Sequence, residues 1–118
     1  MAKRPDGALE HDIMKVLWAA KHPLPPGEIR DLLDAELAYT SVATVLGRLQ
    51  AKGLVERTES GRAFAYQAVV AESELAARRI RDVLSSASDR SAVLAGFVGS
   101  LSKRDTKALR AMLDDGDR

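Results

Sequence analysis

The chain has 118 residues, of which 46% are hydrophobic and 30% charged, a balance typical of one globular domain or of a small domain with an appendage. Its formal net charge of +1 favours no class of partner, and the absence of cysteine excludes disulfides, thiolate metal sites and a cysteine nucleophile. Because it has neither a long apolar run nor an apolar leader, we expect a cytoplasmic protein that does not insert into a membrane.

The first half of the chain has the apolar spacing of three amphipathic helices. We expect the first helix over residues 9 to 20, where a proline-rich turn ends it because proline removes a hydrogen-bond donor and fixes φ. A second helix is expected roughly over residues 26 to 37. A third should begin with Thr40 as its N-cap and end at Lys52, with Gly53 in the C′ position that favours glycine.

The third helix has an unusual distribution of side chains when its residues are placed at 100° intervals. Its apolar side holds Val42, Val45, Leu46 and Leu49, and its opposite side holds Thr40, Thr44, Gly47 and Ala51, flanked by Ser41, Ala43 and Arg48. A solvated face normally carries Glu, Lys and Gln, and a helical Gly costs about 1 kcal/mol relative to Ala. The small outer face indicates close approach by another molecule; a core helix with a small outer face by chance is the alternative.

Basic residues are unevenly distributed along the chain. Residues 5 to 38 hold three Lys/Arg against seven Asp/Glu, a local net charge of −4, whereas residues 39 to 52 contain two bases and no acid. A polyanion is therefore expected to contact this second segment and the bases near it. These bases are Arg48, Lys52, Arg57 and Arg62, with Lys3 and Arg4 at the N-terminus.

A β-hairpin is predicted after the third helix. Its strands cover residues 54 to 59 and 62 to 68 around a Ser60-Gly61 turn, with Arg62 near the tip. Phe64, Tyr66 and Ala68 alternate on one face, and Tyr66 is interpreted as core or wing-root packing rather than as a base-stacking residue. Three helices followed by a two-stranded ribbon is the order of a winged helix-turn-helix domain, which we assign to residues 1–70.

This order favours DNA recognition by the third helix. Such a helix places its outer residues in the major groove, while side chains at its margins hold phosphates. The residues expected to contact base edges or phosphates are Thr40, Ser41, Ala43, Thr44 and Arg48, and the expected phosphate clamps are Lys52 and Arg62.

Residues 71 to 118 return to helical spacing, with two helices and a third that opens at Ser102 before a frayed tail from Asp114. So short a segment cannot build its own core without a cross-link such as a disulfide. A homodimer would bury the same apolar stripe twice. We therefore expect a dimerisation domain whose interface includes Leu75, Ile80, Leu84, Phe97 and Leu109. The predicted fold class is mainly α with a small β-hairpin: a winged helix-turn-helix domain followed by a helical dimerisation segment.

Enzymatic and metal chemistry find little support in the sequence. The two histidines are separated, with His11 on the polar side of the first helix and His22 in the proline turn, and no phosphate loop or serine elbow occurs. We expect no catalytic residues, no metal and no cofactor. A protein-interaction module on the same fold is the alternative from another class, and a weak salt dependence of binding would distinguish it from a DNA-binding protein.

Four segments form a pattern that spans nearly the whole chain: Leu9-Glu10-x-x-Ile13-Met14-x-x-Leu17-Trp18, Glu28-Ile29-Arg30-Asp31-Leu32-Leu33, the block from Ala38 to Val55 that contains Tyr39-Thr40-Ser41-Val42 and Arg48-Leu49-x-x-Lys52-Gly53, and Gly61-Arg62-Ala63-Phe64-x-Tyr66. This pattern resembles the penicillinase-repressor family of the BlaI/MecI/CopY type. The resemblance implies a homodimeric winged-helix repressor that binds dyad operators, typically with TACA/TGTA elements, in promoters of resistance or homeostasis genes. It also implies that the C-terminal helices form the dimer.

The chain departs from this family where the inducing signal acts. Antibiotic-responsive members are cut at an Asn-Phe bond of the dimerisation domain after a membrane sensor-protease is acylated by a β-lactam. Here the matching position is Gly96-Phe97, and the chain contains no asparagine. The copper-responsive branch uses cysteine pairs, so copper sensing through thiolates is excluded. The resemblance leaves a membrane sensor-protease as a candidate partner and Gly96-Phe97 as the candidate cleavage region.

Overall fold

The computed structural model describes residues 7–34, 36–61 and 63–116. Its elements follow in the order α1 (Ala8–Ala19), α2 (Pro26–Leu33), α3 (Tyr39–Ala51), β1 (Val55–Ser60), β2 (Ala63–Ala68), α4 (Glu72–Ser86), α5 (Arg90–Ser100) and α6 (Lys103–Gly116). The mainly α fold class with one hairpin is confirmed. The chain divides into an N-terminal unit, residues 1–75, and a C-terminal unit, residues 76–118. The boundary between these compact units lies after Leu75, and the side chains of Val70 and Leu75 are both buried in the N-terminal core.

An aliphatic core shared by α1, α2, α3 and the hairpin holds the N-terminal unit together. The largest fully buried side chains come from the inward faces of the three helices and are Ile13, Met14, Ile29, Val42, Leu46 and Leu49. Each of them contributes about 1.5–3 kcal/mol by leaving water. Trp18 adds a polar anchor, because its indole Nε1–H donates to the carbonyl of Val70 at 2.8 Å and joins α1 to the segment after β2.

Two helix ends differ from expectation. α2 ends at Leu33 rather than at residue 37, because Asp34 has an extended backbone and its carboxylate accepts the N–H of Glu36 at 3.0 Å. Such a local side-chain bond competes with continuation of a helix. At the start of α3, Ala38 occupies the N-cap position without a side-chain hydrogen bond, so Thr40 lies inside the first turn and is not the cap.

The end of α3 confirms the role expected of Gly53. This glycine has a φ of 75°, in the left-handed region that favours glycine. Its N–H donates to the carbonyl of Gln50, and the N–H of Leu54 donates to the carbonyl of Leu49, both at 3.0 Å. This pair of bonds is the Schellman arrangement, which turns the chain directly from α3 into β1.

The hairpin is antiparallel, from the pair Val55 and Ala68 to the pair Ser60 and Ala63. Tyr66 exchanges two backbone hydrogen bonds of 2.9 and 2.8 Å with Leu24, so the connection between α1 and α2 adds a bridge to the sheet. Tyr66 is 8% exposed, which confirms it as a packing residue, whereas Phe64 on the same strand is 42% exposed. The tip of this hairpin, which we call the wing, therefore projects out of the core, and the edge of the core lies between Tyr66 and Phe64.

The C-terminal unit contains most of α4 together with α5 and α6. The carboxylate of Asp89 caps α5 by accepting the N–H of Ala92, and the Oγ of Ser102 caps α6 by accepting the N–H of Asp105, both at 3.0 Å. The expected start at Ser102 is thus confirmed. α6 continues to Gly116, so the stretch from Asp114 to that residue is helical and not frayed as expected.

Candidate nucleic-acid interface

α3 turns its small side away from the core. Val42, Val45, Leu46 and Leu49 are buried, which leaves the opposite side to solvent. We call this opposite side the α3 outer face; it consists of Thr40, Ser41, Ala43, Thr44, Gly47 and Arg48, all exposed except the half-buried Ala43. The structure therefore brings the DNA-contact residues predicted within α3 onto one accessible surface.

Gly47 is not required by packing within the chain. A Cβ added at this position would meet no atom within 4 Å, and Gly47 has no positive φ. The helical cost of this glycine is therefore not offset by a close contact inside the protein. A small residue here leaves room for a molecule that approaches α3 from outside.

The two bases near the end of α3 have different surroundings. Arg48 is exposed, and no hydrogen bond or ion pair holds its guanidinium within the described part of the chain. Lys52, one helical turn later, donates to the carboxylate of Glu10 at 2.7 Å. The structure thus brings Lys52 to α1, a contact that the local sequence pattern did not predict.

The wing adds a cationic and aromatic pair beside the α3 outer face. The guanidinium carbon of Arg57 lies 4.0 Å from the centre of the Phe64 ring, a cation–π contact. Phe64 also lines, with Tyr39 and Ala43, an open groove between β2, α3 and the start of α2. The alternation of side chains along the second strand placed Phe64 on the same face as Tyr66. It could not show that Tyr66 is buried while Phe64 lies beyond the edge of the core. Arg62, predicted as the phosphate clamp of the wing, lies outside the described residues, as do Lys3 and Arg4.

The residues expected at the dimer interface occupy two environments. Leu75 is 7% exposed in the core of the N-terminal unit, where its own chain already covers it. Ile80 and Phe97 are exposed, and Leu84 and Leu109 are half-buried. Ile80, Leu84 and Phe97 line one apolar cleft between α4 and α5, together with Val83, Val93 and Leu94. Gly96 and Phe97, the candidate cleavage region, lie inside α5.

Neither histidine belongs to a cluster of potential metal ligands among the described residues. His11 packs edge-on against Trp18 with ring centroids 6.4 Å apart, and Nδ1 of His22 lies 3.0 Å from the carbonyl oxygen of Pro23. No three potential His or carboxylate ligands converge within the described ranges. Over the same ranges, no helix combines the length and apolar character needed to cross a membrane.

Three helices, a hairpin directly after α3 and the Leu24 bridge define a winged helix-turn-helix domain, the class of fold that presents its third helix to DNA. The family model described as penicillinase repressor matches residues 7–115, and the chain belongs to that family. The transcriptional regulator BlaI of Mycobacterium tuberculosis is 38% identical over 112 residues, which cover 91% of this chain and 81% of BlaI. The chain is thus a DNA-binding transcriptional repressor, as the resemblance in its sequence implied.

Solved structures of other regulators share the fold at low sequence identity. The transcriptional regulator Tm0710 of Thermotoga maritima has a TM-score of 0.50 and 20% identity, covering 93% of this chain and 72% of its own. A mutant of MepR from S. aureus has a TM-score of 0.53 and 19% identity, covering 92% of this chain and 75% of its own. These likenesses concern the fold alone.

Proposed function

We propose that this repressor acts as a homodimer on a dyad operator, with α3 of each subunit in a major groove and each wing against the adjoining backbone. The observation that carries the proposal is the α3 outer face, which is exposed, has Arg48 as its one charged residue, and includes a glycine that interior packing does not require. Small side chains let base edges approach a helix closely, and the contacts that read sequence are made to those edges.

The proposed roles of the residues follow from their chemistry. Thr40, Ser41 and Thr44 offer hydroxyl groups to bases or phosphates, the threonines and Ala43 offer methyl groups to thymine, and Arg48 can reach a guanine or a phosphate. On the wing, Arg62 remains the predicted phosphate contact, and Arg57 supplies a further base held by its ring contact with Phe64. Lys52, also predicted as a phosphate clamp, is considered separately below because of its bond to Glu10.

The C-terminal unit is proposed to form the dimer. All eleven residues of α5 are described and none of them is buried, although its side chains include Val93, Leu94, Phe97 and Val98. A helix that is apolar around most of its circumference is normally enclosed, and contiguous exposed apolar surface marks an interaction site. A second copy of the unit would cover Ile80, Leu84, Phe97 and Leu109.

The operator and its setting are inferred from family membership. We propose TACA/TGTA-type elements arranged as a dyad, with half-sites about 34 Å apart or at a multiple of that distance, because a two-fold dimer presents two α3 helices. The controlled genes are proposed to serve resistance or homeostasis, and a repressor of such promoters works in the cytoplasm.

Release from DNA is proposed to follow loss of the dimer, with a membrane sensor-protease as partner. No polar or charged residue is buried among the described residues. Cleavage at Gly96-Phe97 would cut α5 and detach α6 from α4. In an operator gel shift, protein nicked within residues 93–98 should lose binding, whereas chelator, copper, zinc or β-lactam should not affect intact protein. Release of intact protein by a metal would contradict this scheme.

Selection of binding sites from a random duplex library tests the function as a whole. We expect the full chain to enrich a dyad sequence and to bind it with an affinity that falls steeply as salt rises, because bound Lys and Arg release counterions from DNA. Enrichment of no sequence, or an affinity insensitive to salt, would contradict the proposal and support a protein-interaction module of the same fold.

A further inference from the structure

Glu10 and Lys52 form an ion pair that joins the start of α1 to the end of α3. Nζ of Lys52 lies 2.7 Å from Oε1 and 3.1 Å from Oε2 of Glu10, so the ammonium group contacts both carboxylate oxygens. The side chain of Glu10 is 18% exposed and that of Lys52 is 56% exposed. The carboxylate is the more enclosed partner, and the lysine reaches toward it.

The ammonium group of Lys52 is turned toward α1. Lys52 follows Arg48 by one helical turn, so its position along the helix alone would leave it beside the α3 outer face. Its bond to Glu10 instead directs the ammonium group toward α1. A phosphate would have to compete with a carboxylate at hydrogen-bonding distance, and the intact pair offers a phosphate no net charge. Arg48 is exposed and has no such partner among the described residues, so neither restriction applies to it there.

We propose that Glu10 is a positioning residue for the recognition helix. Acting through Lys52, it fixes the C-terminal end of α3 against α1, and Lys52 serves this contact instead of clamping a phosphate. The inference rests on the proposed DNA-binding function of α3. Base contacts require the reading side chains to be held within about 0.5 Å of their productive positions, so loosening one end of α3 lowers sequence discrimination more than general attraction to DNA.

The test compares two duplexes, the operator enriched from a random library and a shuffled duplex of the same composition, over a series of salt concentrations. Glu10→Gln and Lys52→Ala are expected to lower the operator-to-shuffled affinity ratio about two- to fivefold, the range for a partly exposed ion pair. Neither should change the slope of log affinity against log salt. The matched control is Arg48→Ala, which removes an exposed charge one helical turn away and should reduce the slope by about 1 on both duplexes.

The charge-exchanged double variant, Glu10→Lys with Lys52→Glu, separates the two possible roles of Lys52. It rebuilds the ion pair with reversed polarity, so it should restore the affinity ratio to within about twofold of the unchanged protein. Unfolding by urea is followed for every variant, so that affinities are compared only where each protein is folded. A merely stabilising pair would change the unfolding midpoint and leave the affinity ratio unchanged.

Two results would overturn the inference while leaving the DNA-binding function intact. One is a slope that falls by about 1 for Lys52→Ala on both duplexes, with a charge-exchanged variant that binds worse than either single variant, since Lys52 would then hold a phosphate. The other is an unchanged affinity ratio in both single variants. If the unchanged protein itself binds neither duplex in a salt-dependent way, the DNA-binding function fails, and the inference fails with it.

Discussion

The two units of this chain use similar amphipathic helices but cover their apolar residues differently. In the N-terminal unit, side chains such as Leu46 and Ile29 are completely buried by their own chain. In the C-terminal unit no described residue is buried, and Phe97 is 49% exposed. The first unit therefore buries its own core, whereas the second leaves its apolar surface exposed, which is the basis for proposing that a second copy covers it. Helical spacing alone does not distinguish an apolar face that packs inside its own chain from one that stays exposed.

Removing the C-terminal unit is the strongest way to test this contrast. A chain truncated after Ala77 keeps Leu75, the last residue of the N-terminal core. We expect it to fold cooperatively as a monomer and to bind the operator about 100-fold or more weakly, because the second half-site contact is no longer intramolecular. Sedimentation gives the mass and a gel shift gives the affinity. A truncated chain that stays dimeric, or that does not fold, would break the contrast.

A pair of alanine substitutions, one in each unit, tests the contrast at single side chains. Phe97→Ala should cost about 3–5 kcal/mol of dimer stability if the ring is buried by a second copy. Leu46→Ala should cost about 2–5 kcal/mol of folding free energy while leaving the mass of the folded species unchanged. Sedimentation over a range of concentrations and urea unfolding measure the two quantities. An unchanged dimer for Phe97→Ala would remove this residue from the interface.

The features predictable from the sequence are those encoded locally. Gly53 follows the last apolar residues of α3, and a glycine in that position predicts the C′ residue that the structure contains. The inward and outward sides of α3 follow from the angular spacing of its residues. Ser102 predicts the start of α6 because a serine side-chain oxygen can cap a helix N-terminus. The α3 part of the candidate site could therefore be identified from the sequence alone.

The features that could not be predicted depend either on a side-chain hydrogen bond that competes with the helix or on contacts between residues far apart in the sequence. α2 ends early because Asp34 captures a backbone N–H, an outcome that apolar periodicity does not report. The partner of Lys52 is 42 residues away, so nothing near it in the chain indicates an ion pair. Leu75 continues an apolar stripe of α4 into the next unit, and only the structure shows that this residue belongs to the first.

Trp18→Phe tests whether the N-terminal unit is stabilised independently. The substitution keeps an aromatic ring but removes the N–H that donates to Val70, so a partly buried carbonyl loses its partner. We expect a loss of about 1 kcal/mol in the free energy of unfolding, with no change in dimer dissociation. Leu32→Ala, at an exposed position of α2, serves as control and should stay within about 0.5 kcal/mol. A weaker dimer in Trp18→Phe would mean that the two units are energetically coupled.

Thr44→Ala should have the smallest effect, and that effect should appear in recognition alone. Thr44 is exposed on the α3 outer face, so the free energy of unfolding should change by no more than about 0.5 kcal/mol. Because the substitution removes no charge, the salt slope should also stay the same. The operator-to-shuffled affinity ratio should fall by about three- to tenfold if the side chain contacts a base. Thr58→Ala, an exposed threonine of β1 outside α3, is the control expected to leave the ratio unchanged. Equal losses on both duplexes would instead assign Thr44 to a phosphate, and the reading of sequence would then depend on Arg48 and the first turn of α3.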